Sequence, residues 1–254
     1  MIEININPFA LAVGSWVLSW GSIIAVLAAI LALLLFVIEA TRFGLKKVHI
    51  IGLCLLFPFA GYNGARVFSL VEGLLFYHTI SLSARMPGAI MGIITILLIY
   101  ASINKLSVWQ LLDIGAMCLY PFIMLYRVGC VLNGCCYGIP CALPWAVVYT
   151  NPSTIAPLGM AIHPTQLYHL VWTAIVVATV WVLQKRFNTP GLLALLALIL
   201  YSVGDFAIRL FRADEPTMLG LSLSQVTDLL LIVMAMSFLF LRLKVAGRRQ
   251  ELAT

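Results

Sequence analysis

Charge is what this chain has least of. Only 9% of its 254 residues are charged against 63% hydrophobic, and the mean hydropathy is +1.08. Soluble domains carry roughly 25% charged residues, so this composition excludes one and implies an integral membrane protein. The basic excess, a net charge of +6, is scattered singly between apolar segments. It forms no patch interleaved with aromatics, which excludes a nucleic-acid partner. Paired C-x2-C spacing is absent too, and histidine near the cysteines is confined to His163 and His169. No metal site and no cofactor are therefore expected. No internal repeat pairs two interrupted helices, which argues against a transporter. Residues Met1 to Ile6 carry Glu3 but no basic leader or small-residue cleavage site, so the first apolar span is expected to be retained.

What is present is a series of long apolar runs. A span needs about 20 predominantly apolar residues, and seven candidates occupy residues 15–39, 50–76, 87–104, 108–126, 165–184, 191–211 and 224–242. They predict an all-α polytopic membrane protein with about seven transmembrane helices, a single membrane domain over 1–254. A small irregular head at about 127–164, between spans four and five, holds Pro140, Pro144, Pro152, Pro157 and Pro164 with Trp145 and Tyr149. Ten of the 15 basic residues fall on one side: Arg42, Lys46, Lys47, Lys105, Lys185, Arg186, Arg242, Lys244, Arg248 and Arg249. The positive-inside rule makes that side cytoplasmic, with the N-terminus and head outside and the C-terminus in the cytoplasm.

Arg66, Arg85, Arg127, Arg209 and Arg212 are left unexplained by topology. A charge within a span costs about 2.5 to 3.5 kcal/mol on insertion scales, so such residues face the bundle interior and find partners. Asp205 and Arg209 are four apart on one helix face and form a candidate structural pair. Gly61 and Gly64 mark a surface where two helices approach closely, with Arg66 emerging at the crevice. For the arginines a lipid phosphate is a natural partner, since guanidinium offers a planar fork of donors to phosphate oxygens. The stretch Arg127 to Gly138 places an arginine, three glycines and three cysteines at the end of span four. Cys130, Cys135, Cys136 and Cys141 are candidate disulfide partners, with three complete pairings open. In His163-Pro164-Thr165-Gln166-Leu167-Tyr168, Pro164 suits a helix start and His163 is a titratable group at the head's edge.

These motifs, in this order, resemble the prolipoprotein diacylglyceryl transferase family over most of the chain. Gly64-Ala65-Arg66 is similar to the family's Gly-Ala-Arg in span two. Arg127, Gly129, Asn133, Gly134 and Gly138 look like its signature Gly-Arg-x-Gly-Asn-x-x-Asn-Gly-Glu-x-x-Gly. His163 to Tyr168 is close to its His-Pro-Ser-Gln-Leu-Tyr-Glu. Tyr201, Phe206 and Arg212 echo its late Tyr-x-x-x-Arg-Phe-x-x-Glu-x-x-Arg, and Gly220 to Gln225 its Gly-x-x-x-Ser-Gln. The resemblance implies seven spans in a bacterial inner membrane and transfer of diacylglyceryl from phosphatidylglycerol to a lipobox cysteine thiol. It also implies phospholipid-binding roles for Arg127, the best clamp candidate, and for Arg66, Arg212, Tyr201, Asn133 and Gly134.

The departures cluster where the chemistry would be. The family's histidine in His-Gly-Gly-Leu-Ile-Gly falls on Pro87, its signature asparagine and glutamate on Cys130 and Cys135, and its late arginine and glutamate on Asp205 and Arg209. His169 replaces the glutamate after the His-Pro-x-Gln-Leu-Tyr run. Two readings follow. One is a divergent transferase acting on a lipobox prolipoprotein, with His163, His169 or a cysteine as proton acceptor. The other is a lapsed relative serving as a phospholipid-binding or structural subunit alongside other integral membrane proteins.

Overall fold

The computed structural model describes residues 1–13, 16–74, 86–187, 189–214 and 220–251; Arg85 lies outside them. Among these residues seven helices are long and apolar enough to cross a membrane. They are α1 (Trp20–Arg42), α2 (Lys47–Glu72), α3 (Met86–Ile103), α4 (Val108–Asn133), α5 (Thr165–Leu183), α6 (Leu192–Arg209) and α7 (Leu223–Glu251). The chain is an all-α multi-pass membrane protein. The described residues group into two compact units, 33–114 and 1–32 with 115–254.

Within the unit 33–114, α2 and α3 pack through small residues. A Cβ placed on Gly64 would meet the Gly88 carbonyl oxygen, and one on Gly92 the Ala60 carbonyl oxygen, so the two backbones touch. Arg66 is exposed on α2 with its guanidinium 4.7 Å above the Tyr62 ring. α1 ends at Gly44, φ +75°, with Leu45 N–H donating to Ala40 C=O and Gly44 N–H to Thr41 C=O. Glycine is there because the left-handed turn that satisfies the last carbonyls strains any side chain.

The larger unit carries a head with regular structure that sequence patterning misses. Three short strands, β1 (Ile2–Ile4), β4 (Val147–Tyr149) and β5 (Ala161–Ile162), form a sheet in the order β1-β4-β5. β1 runs parallel to β4, Ile2 opposite Val147, and β4 antiparallel to β5. Val147, Tyr149, Ala156 and Ile162 close a small core beneath them. A hairpin of β2 (Phe9–Val13) and β3 (Trp16–Ser19) leads into α1, and the Ser19 hydroxyl caps α1 by accepting from Ser22 N–H at 3.1 Å.

Span four corrects an expected boundary. The helix does not stop at residue 126 but runs to Asn133, so Arg127 to Asn133 is helical and the head begins at Gly134. Arg127 does not end the span because its charge is neutralised by a partner on another helix.

Candidate active site at the head end of α4, α5 and α6

The partner is Asp205. Its carboxylate sits at the centre of a buried cluster: Arg127 and Asp205 are only 3% and 4% exposed, and His169 1%. From α4, Arg127 Nη2 stands 3.7 Å from Asp205 Oδ1; from α5, His169 Nδ1 is 3.2 Å from the same oxygen. Along α6, Arg209 Nε reaches Asp205 Oδ2 at 2.5 Å, the contact that i, i+4 spacing permits. Tyr201 donates its hydroxyl to Asp205 Oδ1 at 3.5 Å. Arg209 also bonds Asp214 at 2.8 Å and lies 3.9 Å from Asp228 of α7; Arg212 bonds Asp214 at 2.9 Å. Three guanidiniums thus face three carboxyl groups, the arrangement that makes burial of each tolerable. Asp214 and Asp228 were not among the expected site residues. Asp228 could have been found as a lone acid in an apolar span; Asp214 carries no such signal.

Several polar atoms in this cluster are buried without a hydrogen-bond partner among the described residues: Arg127 Nε, Arg212 Nε and His169 Nε2. Asp205, as a carboxylate, can only accept, so His169 Nδ1 carries the proton and Nε2 is left as a free acceptor. Two uncommitted donors and one uncommitted acceptor therefore share a buried, charge-balanced environment. Such atoms are rare in a finished core, and a bound water, an ion, a ligand or a catalytic role is what accounts for them.

The signature turn is built by α4's C-cap. Gly134, φ +70°, is the left-handed residue, with Cys135 N–H donating to Cys130 C=O and Gly134 N–H to Val131 C=O. Asn133 accepts from Gly21 N–H at 3.2 Å through its side chain, and its carbonyl accepts from Thr154 and Ile155. Asn133 and Gly134 thereby shape the turn. The first residues of α5 hold the other side: Thr165 Oγ1 donates to Cys136 C=O at 2.6 Å and Gln166 Nε2 to Cys135 C=O at 2.8 Å.

All six cysteines are free thiols. The sulfurs of Cys130, Cys135 and Cys136 lie within 4.8 Å of one another, while Cys141 stands outside that group. Hydrogen bonds from the Cys130 and Cys135 thiols, aided by the guanidiniums of Arg212 and Arg127 and opposed by burial, hold Cys136 far below the usual thiol range. Hydrogen bonding with Cys130 and Cys136, joined by burial, pushes Cys135 far above it. Burial likewise raises Tyr149, whose hydroxyl donates to Val131 C=O at 3.0 Å.

His163 is placed differently from His169. Its Nδ1 is 3.2 Å from the Tyr168 hydroxyl, which also accepts from Trp145 Nε1 at 2.9 Å, and its ring packs on Phe211. Beside it, Trp145, Pro164, Tyr168, Trp172, Ile208 and Phe211 line an apolar groove of about 520 Å³. Arg66 belongs to the other compact unit.

Comparison with known proteins gives the context for this geometry. The profile of the family described as prolipoprotein diacylglyceryl transferase matches residues 8–241. A protein of Dehalococcoides mccartyi named phosphatidylglycerol–prolipoprotein diacylglyceryl transferase is 30% identical over 265 residues, covering 96% of each chain. One of the same name from Oceanobacillus iheyensis is 28% identical, covering 96% of this chain and 91% of its own. Another from Thermosynechococcus vestitus is 32% identical over 60% of this chain.

Proposed function

The chain belongs to the prolipoprotein diacylglyceryl transferase family, and we propose that it transfers diacylglyceryl from phosphatidylglycerol to the cysteine thiol of a prolipoprotein. The observation that carries this reading is the buried cluster around Asp205, with uncommitted donors on Arg127 and Arg212 and an uncommitted acceptor on His169.

In this reading Arg127 and Arg212 hold the lipid phosphate, using Nε–H groups that have no partner among the described residues. Asp205 fixes the His169 tautomer, and Nε2 takes the proton from the acceptor thiol. The sulfur then forms a bond to the glyceryl carbon as the carbon–oxygen bond to phosphate breaks. The electron pair leaves on glycerol phosphate, whose charge the guanidiniums offset. The apolar groove beside His163 suits the acyl chains, since its walls carry aromatics of the kind found at a membrane interface. The family resemblance alone proposes Arg66 as a phospholipid-binding residue, on its motif position. Nothing among the described residues favours the lapsed-subunit alternative over this one.

The reading also carries an orientation. β1 pairs with β4, so the N-terminus lies with the head; the basic residues that follow spans one, three, five and seven support reading the opposite side as the cytoplasmic one of a bacterial inner membrane.

The test is transfer from labelled phosphatidylglycerol to a lipobox peptide by detergent-purified protein, beside Arg127→Ala. Label on the peptide thiol that is lost in Arg127→Ala is the expected result. Equal transfer by both proteins would remove Arg127 from the clamp, and absence of transfer by the wild type would overturn the reading.

A further inference from the structure

Three thiols that the transfer reaction does not use converge at one point. Their convergence is built into the backbone. The cap that ends α4 sets Cys130, three residues before its last, against the residue after the left-handed glycine, Cys135. Cys136 then takes φ +60°, a conformation that costs a non-glycine residue on the order of 1 kcal/mol and persists only where its surroundings impose it. Thr165 and Gln166 impose it by holding the carbonyls of Cys136 and Cys135.

The result is three sulfurs within 4.8 Å of one another. Sulfurs sharing one zinc ion at about 2.3 Å lie roughly 3.8 Å apart, so closure requires movement of about 1 Å or less. An all-sulfur donor set selects thiophilic cations over magnesium or calcium, which take oxygen. Three thiolates around a divalent ion carry one net negative charge. Three protein ligands also leave a fourth position open. Cys130 and Cys135 line a cavity of about 160 Å³ with Gly21, Ser22, Gly129 and Asn133, room for a water or an incoming thiolate.

We propose that Cys130, Cys135 and Cys136 bind a thiophilic d10 cation, with zinc as the probe, leaving one coordination position open to the cavity beside Asn133.

The full chain, purified in detergent and stripped with chelator under reducing conditions, is titrated with Zn2+ alone. The expected result is about one zinc per chain and at least a tenfold slowing of maleimide labelling at all three cysteines. A Cys130→Ser, Cys135→Ser, Cys136→Ser triple variant should lose the zinc and Cys141→Ser should retain it. Three results overturn the proposal: wild-type labelling unchanged by zinc, zinc retained by the triple variant, or a disulfide between two of these cysteines in zinc-free protein purified without reductant. Protection in the wild type needs no variant, so misfolding of the triple variant leaves the test intact, and none of these readouts depends on transfer activity.

Discussion

At the scale of single residues, Asp205 is the hub: it takes charge from Arg127 and Arg209 and orients His169. Asp205→Asn strands the buried Arg127 guanidinium and leaves the half-buried Arg209 with Asp214; removing one partner of a buried pair costs about 3 to 5 kcal/mol, and a matching fall in the thermal unfolding midpoint in detergent is expected. Reversing the pair, Asp205→Arg with Arg209→Asp, restores neutrality along α6 but sets a new guanidinium against Arg127. The double variant should recover little of the lost stability, and full recovery would mean that Arg127 does not sense position 205. Cys136 gives a pH prediction. Its folded value is depressed below the ordinary thiol range, so in metal-free protein its labelling should persist to lower pH than that of an ordinary thiol. A thiol in an unstructured peptide loses about tenfold per unit once pH is well below its own value of about 8.5. The Asp205–Arg209 contact was legible in the sequence because helical spacing alone sets it. Arg127 and His169 were legible as candidates but not as Asp205's partners, because their meeting depends on how α4, α5 and α6 pack. The thiol cluster was missed because a helix cap and a positive-φ cysteine gather it, not the C-x2-C spacing that sequence arithmetic searches for.

At the scale of elements, the apolar runs located seven helices within a few residues. The exceptions are two C-terminal ends, α7 reaching Glu251 rather than 242 and α4 reaching Asn133 rather than 126; for α4 the cause is that Arg127 reads as a terminator until its partner on α6 is seen. The short strands of the head were hidden because two or three residues leave too little alternation to register. The α2–α3 interface, by contrast, was written in its glycines. Gly92→Val places a side chain against the Ala60 carbonyl oxygen. Overpacking of this kind costs about 1 to 3 kcal/mol. A lowered unfolding midpoint with α4 to α7 still protected from proteolysis is the expected signature, since α2 and α3 belong to a compact unit of their own.

At the scale of the whole molecule, sidedness ties sequence to site. β1 pairs with the head and the basic residues cluster at the opposite span ends, so a reporter fused after Thr254 should fluoresce if it is one that matures only in the cytoplasm and be inactive if it is a periplasmic phosphatase. The opposite pattern would put the Asp205 cluster on the wrong side for a secreted prolipoprotein. The most direct test of the account is the rate of diacylglyceryl transfer by His169→Asn against wild type across pH. Asparagine keeps the donor to Asp205 and removes the free acceptor at Nε2. A loss of about 10²-fold or more near neutral pH, shrinking as pH approaches the acceptor thiol's own range of about 8.5, is the expected result. Equal rates at neutral pH would contradict the assignment of His169 as the proton acceptor and with it the central claim.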